Sequence, residues 1–359
     1  MKYVDEYRKK ELILSVADEL KRISKKEITL MEVCGGHTMA IHRFGLNSLL
    51  PPNIHLVSGP GCPVCVSSQH FIDLALAYSK LPGVIIATYG DLVRVPGSLA
   101  SLEEERARGS DIRIIYSVLE AIEIARNNPE KKIIFLGIGF ETTAPATAAA
   151  IMKAKQENIS NFFVFSAHKV MPPVMEALVK EGLKIDGFIA PGHVTAITGT
   201  SIYNDLASVY GLGVVVSGFE PADIMQAVLM LTNQIEKGLP EVKVQYQRVV
   251  NHNGNMTARK MLNLVFENRD DQWRGLGLIP ESGLGIIEEL SSFDAEKQFD
   301  IEVPQSTEPK GCICGQILRG LKTPPECGLF AKKCTPSDPV GACMVSGEGT
   351  CATYFKYRS

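Results

Sequence analysis

Short apolar runs alternate with helix-like stretches over the first 240 residues, and this alternation constrains the fold more than any other feature. The apolar runs lie at 28–33, 53–58, 83–89, 131–138, 161–167, 186–190 and 213–218. The helix-like stretches lie at 4–23, 68–80, 111–126, 143–156, 172–181 and 221–237. Strands that alternate with helices predict a parallel sheet covered by helices on both faces. Loops at the carboxyl ends of such strands line ligand crevices.

The runs form two similar halves, because Gly-, Pro-, His- or Cys-containing motifs follow most strands in each half. We therefore predict an α/β protein with two similar parallel-sheet α/β domains facing a cleft, followed by a Cys-rich C-terminal domain. The predicted boundaries are 1–126, 127–240 and 241–359, with NNPEKK as the first linker. In the third region, VKVQYQRVV is one further candidate strand, MTARKMLNLVFE is one further candidate helix, and DQWRGLGLIPESGLG is rich in loop residues.

Charge and hydropathy exclude several classes of partner. The chain has 37 Lys+Arg and 40 Asp+Glu residues, so no basic excess points to nucleic acid or to an anionic membrane surface. No apolar run approaches the length of a membrane span. The N-terminal stretch is charged throughout and lacks the apolar core of a signal peptide, so we expect a cytoplasmic protein. No P-loop is present and no GxGxxG follows the first strand, so nucleotide binding has no motif to support it.

The C-terminal tail contains six of the nine cysteines, which indicates metal or redox chemistry in a reducing compartment. They are Cys312, Cys314, Cys327, Cys334, Cys343 and Cys351. Structural zinc sites usually show paired C-x2-4-C knuckles, which this tail lacks, although a zinc site stays open as an alternative. A [4Fe–4S] cluster needs four thiolates and accepts several spacings. Two thiols would remain, enough for one redox pair. We therefore predict that the Cys-rich C-terminal domain is an iron–sulfur domain.

Three further cysteines lie in N-terminal loop motifs. Cys34 ends a predicted strand before GGHT, where the first turn of a helix would favour a thiolate, and His37 could reach the same space. The alternative is a small buried cysteine packed under a turn. Cys62 and Cys65 form a C-P-x-C turn, which suits reversible dithiol–disulfide exchange better than half of a zinc site.

Four other residues in post-strand loops are weaker candidates. Asp91 follows a strand and could act as an acid, a base or a hydrogen-bond acceptor, although a helix cap is an equally good interpretation. Glu141 occupies a similar position before a helix. His168 and His193 occupy matching loops in the second half, and either could be a structural residue.

Six of these motifs together closely resemble the HypD-type hydrogenase maturation factors over nearly the whole chain. They are MEVCGGHT (31–38), SGPGCPVC (58–65), YGDLVRVPG (89–97), GFETTAPATA (139–148), APGHVTAITG (190–199) and the six-cysteine tail. The resemblance implies a redox-active scaffold, rather than a conventional turnover enzyme, for assembly of the Fe(CN)2CO unit of [NiFe]-hydrogenases. It also implies a small HypC-type chaperone as partner and a HypE-type protein as transient cyanide donor. Met39 departs from the family pattern, since many relatives have a second His there.

The resemblance also implies roles for individual residues. Cys34 would bind the transferred iron, with a cysteine of the chaperone as the other protein ligand, and Cys62/Cys65 would be the redox pair beside it. Cys312, Cys327, Cys334 and Cys351 would bind the [4Fe–4S] cluster. Cys314 and Cys343 would form a second thiol pair, as in ferredoxin:thioredoxin reductase. A relay from cluster to Cys314/Cys343 to Cys62/Cys65 is our hypothesis, and it requires the tail to fold back onto the N-terminal loops.

Further expectations concern the cleft and the competing functions. We expect His37, Asp91, Glu141 and His193 to line the cleft, Glu348 to lie near the cluster, and an apolar groove near Cys34 to receive the chaperone. The main alternative function is an iron–sulfur disulfide reductase of the ferredoxin:thioredoxin reductase type, which has no need of Cys34. A zinc-stabilised binding protein with purely structural cysteines is the third.

Overall fold

The computed structural model describes residue 2 and residues 4–357. The strands are β1 (Ile28–Glu32), β2 (Ile54–Ser58), β3 (Val84–Thr88), β4 (Ile112–Ile114), β5 (Lys132–Gly139), β6 (Phe162–His168), β7 (Gly187–Pro191), β8 (Gly213–Ser217), β9 (Val242–Val244), β10 (Phe266–Trp273) and β11 (Gly277–Ile286). The helices are α1 (Lys10–Ile23), α2 (Gly35–Arg43), α3 (Pro63–Val66), α4 (Gln69–Ser79), α5 (Gly90–Val93), α6 (Leu102–Ala107), α7 (Val118–Asn127), α8 (Ala144–Gln156), α9 (Met171–Lys180), α10 (Gly192–Thr198), α11 (Asn204–Ser208), α12 (Pro221–Lys237), α13 (Met256–Asn263), α14 (Ala295–Gln298), α15 (Cys314–Leu318) and α16 (Thr350–Lys356). Within this described part of the chain, no helix has the length and apolar character needed to cross a membrane.

Two parallel sheets form the body of the molecule, as the alternating pattern predicts. The first has the order β2-β1-β7-β8-β9 and the second has the order β4-β3-β5-β6. The central strands β3, β7 and β8 are buried along their whole length, which is why they appear as continuous apolar runs rather than as alternating ones. All seven apolar runs become strands within two residues of the predicted ends.

Sheet membership does not follow the predicted boundaries at 126/127 and 240/241. The first sheet combines strands from 28–58 with strands from 187–244, and the second takes its strands from 84–168. The chain thus leaves the first sheet after β2, completes the second, and returns. An apolar run predicts where a strand lies, but it does not predict which strand becomes its neighbour. The outer ends of the predicted divisions, residues 1 and 359, lie outside the described residues.

Two local features differ from the sequence predictions. The segment predicted as a helix at 111–126 begins with the short strand β4, and α7 starts only at Val118. The loop-rich segment after α13 forms the antiparallel hairpin β10–β11. This hairpin packs on the second sheet, where Leu284 and Ile286 join the core that contains Phe135 and Phe162. Trp273 and Ile279 of the same hairpin are buried in the cluster that contains Phe188 of the first sheet, so the region 241–359 shares its core with both sheets.

The cysteine-rich segment contains little regular secondary structure, and a few apolar side chains anchor it to the two-sheet body of the molecule. Ile317, Leu318 and Met344 are buried in the same core cluster as Cys65 and Phe188. Helix α16 packs against α2, and the turn at 342–344 packs against α3. The prediction that the tail folds back onto the N-terminal loops is thereby confirmed.

Candidate functional site

A cleft of about 640 Å³ lies between the carboxyl ends of the two sheets. The loops after β1, β2, β7 and β8 of the first sheet contribute Cys34, Gly61, His193 and Phe219 to its walls. Gly139 at the end of β5 in the second sheet, together with the loop that follows it, forms the opposite wall. This is where open parallel sheets place their ligand sites.

Cys34 lies immediately before α2, is only partly buried, and lines this cleft. Burial, followed by the nearby Glu348 carboxylate, raises the pKa of the Cys34 thiol to about 12. Desolvation therefore outweighs the helix N-terminus, which from the sequence we expect to favour the thiolate. The thiol has access to the cleft, as a ligand for a foreign metal requires.

A buried acid that the sequence analysis does not single out fixes the backbone around Cys34. Glu32 accepts a hydrogen bond from the backbone N–H of Cys34 (3.2 Å) and another from the Thr38 hydroxyl. Burial raises the pKa of Glu32 to about 8. The sequence feature that could identify Glu32 is an acidic residue at the end of an otherwise apolar strand. Because its two oxygens bond both ends of the turn, Glu32 holds the turn that presents Cys34.

The C-P-x-C loop is in direct contact with the Cys34 turn. Cys62 and Cys65 are joined by a disulfide, with their Cα atoms 5.2 Å apart, and both are buried. Gly35 donates its backbone N–H to the carbonyl of Gly61 (3.0 Å). A Cβ atom on Gly61 would lie 2.2 Å from the backbone nitrogen of Cys34, so glycine alone permits this approach.

The two candidate histidines of the first-sheet loops both lie against one aromatic ring. The ring centroid of Phe219 lies 4.7 Å from that of His37 and 4.2 Å from that of His193. His193 lines the cleft, as predicted, whereas His37 is fully buried behind it. His37 donates from Nε2 to the Gly218 carbonyl (3.0 Å), and its Nδ1 has no partner within the described residues. Burial lowers the pKa of His37 to about 4, so the ring is neutral.

Glu141 and Asp91 do not line the cleft where the sequence analysis expects them. Glu141 is buried and accepts the backbone N–H of Met171 (2.9 Å), while its second oxygen has no hydrogen-bond partner in the described part of the chain. Burial raises the pKa of Glu141 to about 7. Asp91 is exposed in the first turn of α5. His168, between Thr147 and Ser166 at 3.2 Å each, is a hydrogen-bonded structural residue.

All six tail cysteines line one small apolar cavity. The sulfurs of Cys314 and Cys343 lie 2.9 Å apart, within hydrogen-bonding distance. Cys312 is nearby, because a Cβ atom on Gly341 would lie 2.9 Å from its sulfur and 3.7 Å from that of Cys314. Burial is the main cause of the raised pKa of Cys351. Such thiols retain their protons unless metal binding replaces them.

The chemistry of this donor set fits an iron–sulfur cluster better than a single ion. Six soft sulfur donors surround one apolar space, two more than a cubane requires. Among residue 2 and residues 4–357, no three His, Cys, Asp or Glu side chains are arranged around one metal position. A cubane has a different requirement, since each of its four thiolates binds a different iron.

Glu348 lines the cleft and not the cysteine cavity, near which the sequence places it. Its backbone packs on the Cys34 loop so closely that a Cβ atom on Gly35 would lie 2.5 Å from the Glu348 carbonyl oxygen. Glu348 lines the cleft, three residues before Cys351 in the cavity. The negative charge of Asp91 adds to burial in raising the pKa of Glu348. One short segment therefore contacts both candidate sites.

Comparison with known proteins agrees with this arrangement. The family model HypD, described as the hydrogenase formation hypA family, matches residues 9–358. The chain is 45% identical to hydrogenase maturation factor HypD2 of Bradyrhizobium diazoefficiens, covering 99% of this chain and 97% of the relative. It is 44% identical to HypD of Azotobacter vinelandii and 43% identical to HypD of Cupriavidus necator, each over 99% of this chain and 97% of the relative. The chain therefore belongs to the HypD family of hydrogenase maturation factors.

Proposed function

We propose that this protein is a cytoplasmic, redox-active scaffold on which the Fe(CN)2CO unit of [NiFe]-hydrogenase is assembled. It would act with a HypC-type chaperone and receive cyanide from a HypE-type donor. The observation that carries this proposal is the convergence of three thiol sites. Cys34 lines the cleft, the Cys62–Cys65 disulfide packs against its turn, and the tail cavity lies behind the same loops.

Cys34 would bind the iron that is the cargo of the assembly. Thiolates are soft ligands and suit a low-spin iron that carries strong-field diatomic ligands. The cleft leaves room beside Cys34 for a second thiol from the chaperone and for the diatomic ligands. Met39, Phe44 and Phe219 provide an apolar wall for that partner.

The four cysteines Cys312, Cys327, Cys334 and Cys351 would hold a [4Fe–4S] cluster. When bound, such a cluster supplies electrons one at a time. The 2.9 Å separation of the remaining two sulfurs, those of Cys314 and Cys343, supports their assignment as a thiol pair.

The two thiol pairs would exchange electrons by thiol–disulfide exchange. A thiolate of the Cys314/Cys343 pair attacks one sulfur of the Cys62–Cys65 disulfide, forms a mixed disulfide and releases the other sulfur as a thiolate. The second thiol of the attacking pair then resolves the mixed disulfide. One disulfide forms as the other breaks, and two electrons and two protons pass from one pair to the other. The contact between α3 and the turn at 342–344 supports this exchange.

The remaining candidate residues would act at the cleft, or support its walls, from different positions. His193 faces the cleft and would orient the cyanide donor. His37 and Glu141 would position the walls from behind, through their bonds to the Gly218 carbonyl and the Met171 amide. Asp91 would contact a partner at the surface. A disulfide reductase would need the two thiol pairs but not Cys34, and the access of Cys34 to the cleft favours the scaffold.

Infrared spectroscopy of the complex tests this function directly. The protein is co-expressed with the HypC-type and HypE-type partners and purified under nitrogen, as wild type and as Cys34→Ala. We expect CN and CO bands in the wild type and none in the variant, while the tail iron, about four atoms per chain, is retained. CN and CO bands of equal intensity in both proteins would refute the role of Cys34. Iron-free, colourless wild type would refute the cluster.

A further inference from the structure

Arg274 occupies the turn of the β10–β11 hairpin and is attached to the segment that follows Cys65. Its backbone N–H donates to the carbonyl of Val66 (2.9 Å) and its Nε to the carbonyl of Ser67 (2.8 Å). Its Nη1 donates to Oε1 of Gln69 (2.7 Å). The side chain is 3% exposed. Arg274 therefore holds the segment that follows the C-P-x-C motif through three hydrogen bonds, two from its buried guanidinium and one from its backbone N–H.

The next residue attaches the same turn to the second thiol pair. A Cβ atom on Gly275 would lie 2.4 Å from the Cα atom of Gly315, the residue after Cys314. The backbone N–H of Gly275 donates to Oε1 of Glu308 (2.8 Å), and its carbonyl accepts from the Arg319 guanidinium. Residues 274 and 275 of the three-residue turn 274–276 thus connect the segment after Cys65 with the segment after Cys314.

One nitrogen of the buried guanidinium is unused. Nη2 of Arg274 has no hydrogen-bond partner among the residues that the structure describes. Burial lowers the pKa of Arg274, whereas negative charge on Cys314, Cys343, Glu308 or Cys312 raises it, so these groups are the neighbouring anions or potential anions of the guanidinium. A buried N–H without a partner is costly to maintain. It is well suited to an acceptor that appears only transiently, such as a sulfur that becomes an anion.

We propose that Arg274 is the positioning residue that couples the Cys314/Cys343 pair to the Cys62/Cys65 pair. Its Nε and Nη1 hold the segment after Cys65, and with it the C-P-x-C loop, in register, and its Nη2 donates to the sulfur of the Cys314/Cys343 pair that attacks the Cys62–Cys65 disulfide. The inference rests on the proposed exchange step. It assigns a function to the WRG turn, which the scaffold chemistry at Cys34 does not use.

The test measures the redox equilibrium of both thiol pairs in the full chain. Wild type, Arg274→Gln, Arg274→Lys and Arg319→Gln are equilibrated with glutathione buffers under nitrogen. The thiols are then alkylated and counted by peptide mass spectrometry, and iron per chain is measured in the same samples. Arg319→Gln is the matched control, because it removes a guanidinium bonded to the same turn at Gly275.

In Arg274→Gln we expect the dithiol form of Cys314/Cys343 to become about tenfold less stable relative to its disulfide, about 30 mV. Arg274→Lys keeps the positive charge but loses the pair of guanidinium hydrogen bonds to Ser67 and Gln69. We expect its equilibrium to stay within threefold of wild type, while exchange between the pairs slows about tenfold. Arg319→Gln should match wild type in both measurements.

The inference is overturned if folded Arg274→Gln keeps the wild-type equilibrium, or if Arg274→Lys exchanges at the wild-type rate. The lysine variant decides the question alone if the glutamine variant does not fold. Wild type without iron would refute the proposed cluster but leave these thiol measurements interpretable. Wild type with iron and unchanged Arg274 variants would refute only this inference.

Discussion

Replacing Gly61 by alanine should separate the Cys34 turn from the C-P-x-C loop. The added Cβ would lie 2.2 Å from the Cys34 nitrogen and 2.4 Å from its Cα atom, whereas ordinary contact begins at 3.4 Å. The obstacle is backbone, which cannot rotate away, so the two loops must part by about 1 Å. Overpacking of this kind costs about 1–3 kcal/mol of unfolding free energy.

The functional loss in Gly61→Ala should exceed the loss of stability. A displacement of about 1 Å at a reacting group can reduce a rate about 100-fold. We therefore expect CN and CO infrared bands to fall to a few per cent of wild type at a temperature where the variant is still folded. Both unfolding by denaturant and infrared spectra of the co-purified complex are measured on the same preparation.

Gly90→Ala is the matched control, because its added Cβ would meet only the Ile114 side chain at 3.6 Å. We expect this variant to remain within about 0.5 kcal/mol of wild type and to keep its infrared bands. If Gly61→Ala matches Gly90→Ala in both assays, the contact between the two loops has no part in assembly.

Three further predictions follow from the buried groups. Because burial raises the pKa of Glu141 to about 7, from 4.5, the native state keeps a proton that the unfolded chain releases between these values. The free energy of unfolding should therefore fall by about 3 kcal/mol as the pH rises from 4.5 through 7. Denaturant unfolding of Glu141→Gln should not show this fall, and equal pH profiles for wild type and variant would contradict the prediction. Cys334→Ser should lose most of the tail iron, whereas Cys343→Ser should retain it, as metal analysis under nitrogen will measure; equal iron contents in the two variants would contradict the ligand assignment. Phe219→Leu should lower the unfolding free energy by about 1 kcal/mol through lost ring contacts with the two imidazoles, and an unchanged denaturation midpoint would argue against a stabilising role for these contacts.

Much of the architecture is predictable from the sequence, because buried parallel strands are continuous apolar runs. The strand β4 is not predicted from the sequence because Ile112–Ile114 is too short to be distinguished from the helix that follows it. The hairpin β10–β11 escapes it because FENRDDQW is mostly polar and GLIPESGLG is rich in Gly and Pro. Strand order is not encoded in local pattern, so the return of the chain to the first sheet is visible only in the structure.

The cysteines of the site could be identified from their motifs, but their supporting residues could not. Glu32, Phe219 and Arg274 act through neighbours that are distant in sequence or on the far side of a turn. The burial of His37 is likewise unpredictable from spacing, because its hydrogen bond goes to a loop 181 residues away. Sequence motifs identify the residues that react or bind, whereas the residues that position them are identified from contacts in the structure.

The most direct test of the account is Mössbauer spectroscopy of ⁵⁷Fe-labelled protein purified under nitrogen with its HypC-type partner. We predict a four-iron cluster signal and one additional low-spin iron signal, with only the latter lost in Cys34→Ala. A spectrum without cluster iron, or a low-spin signal that persists in Cys34→Ala, would contradict the central claim that a tail cluster and a cleft thiol together form the assembly site.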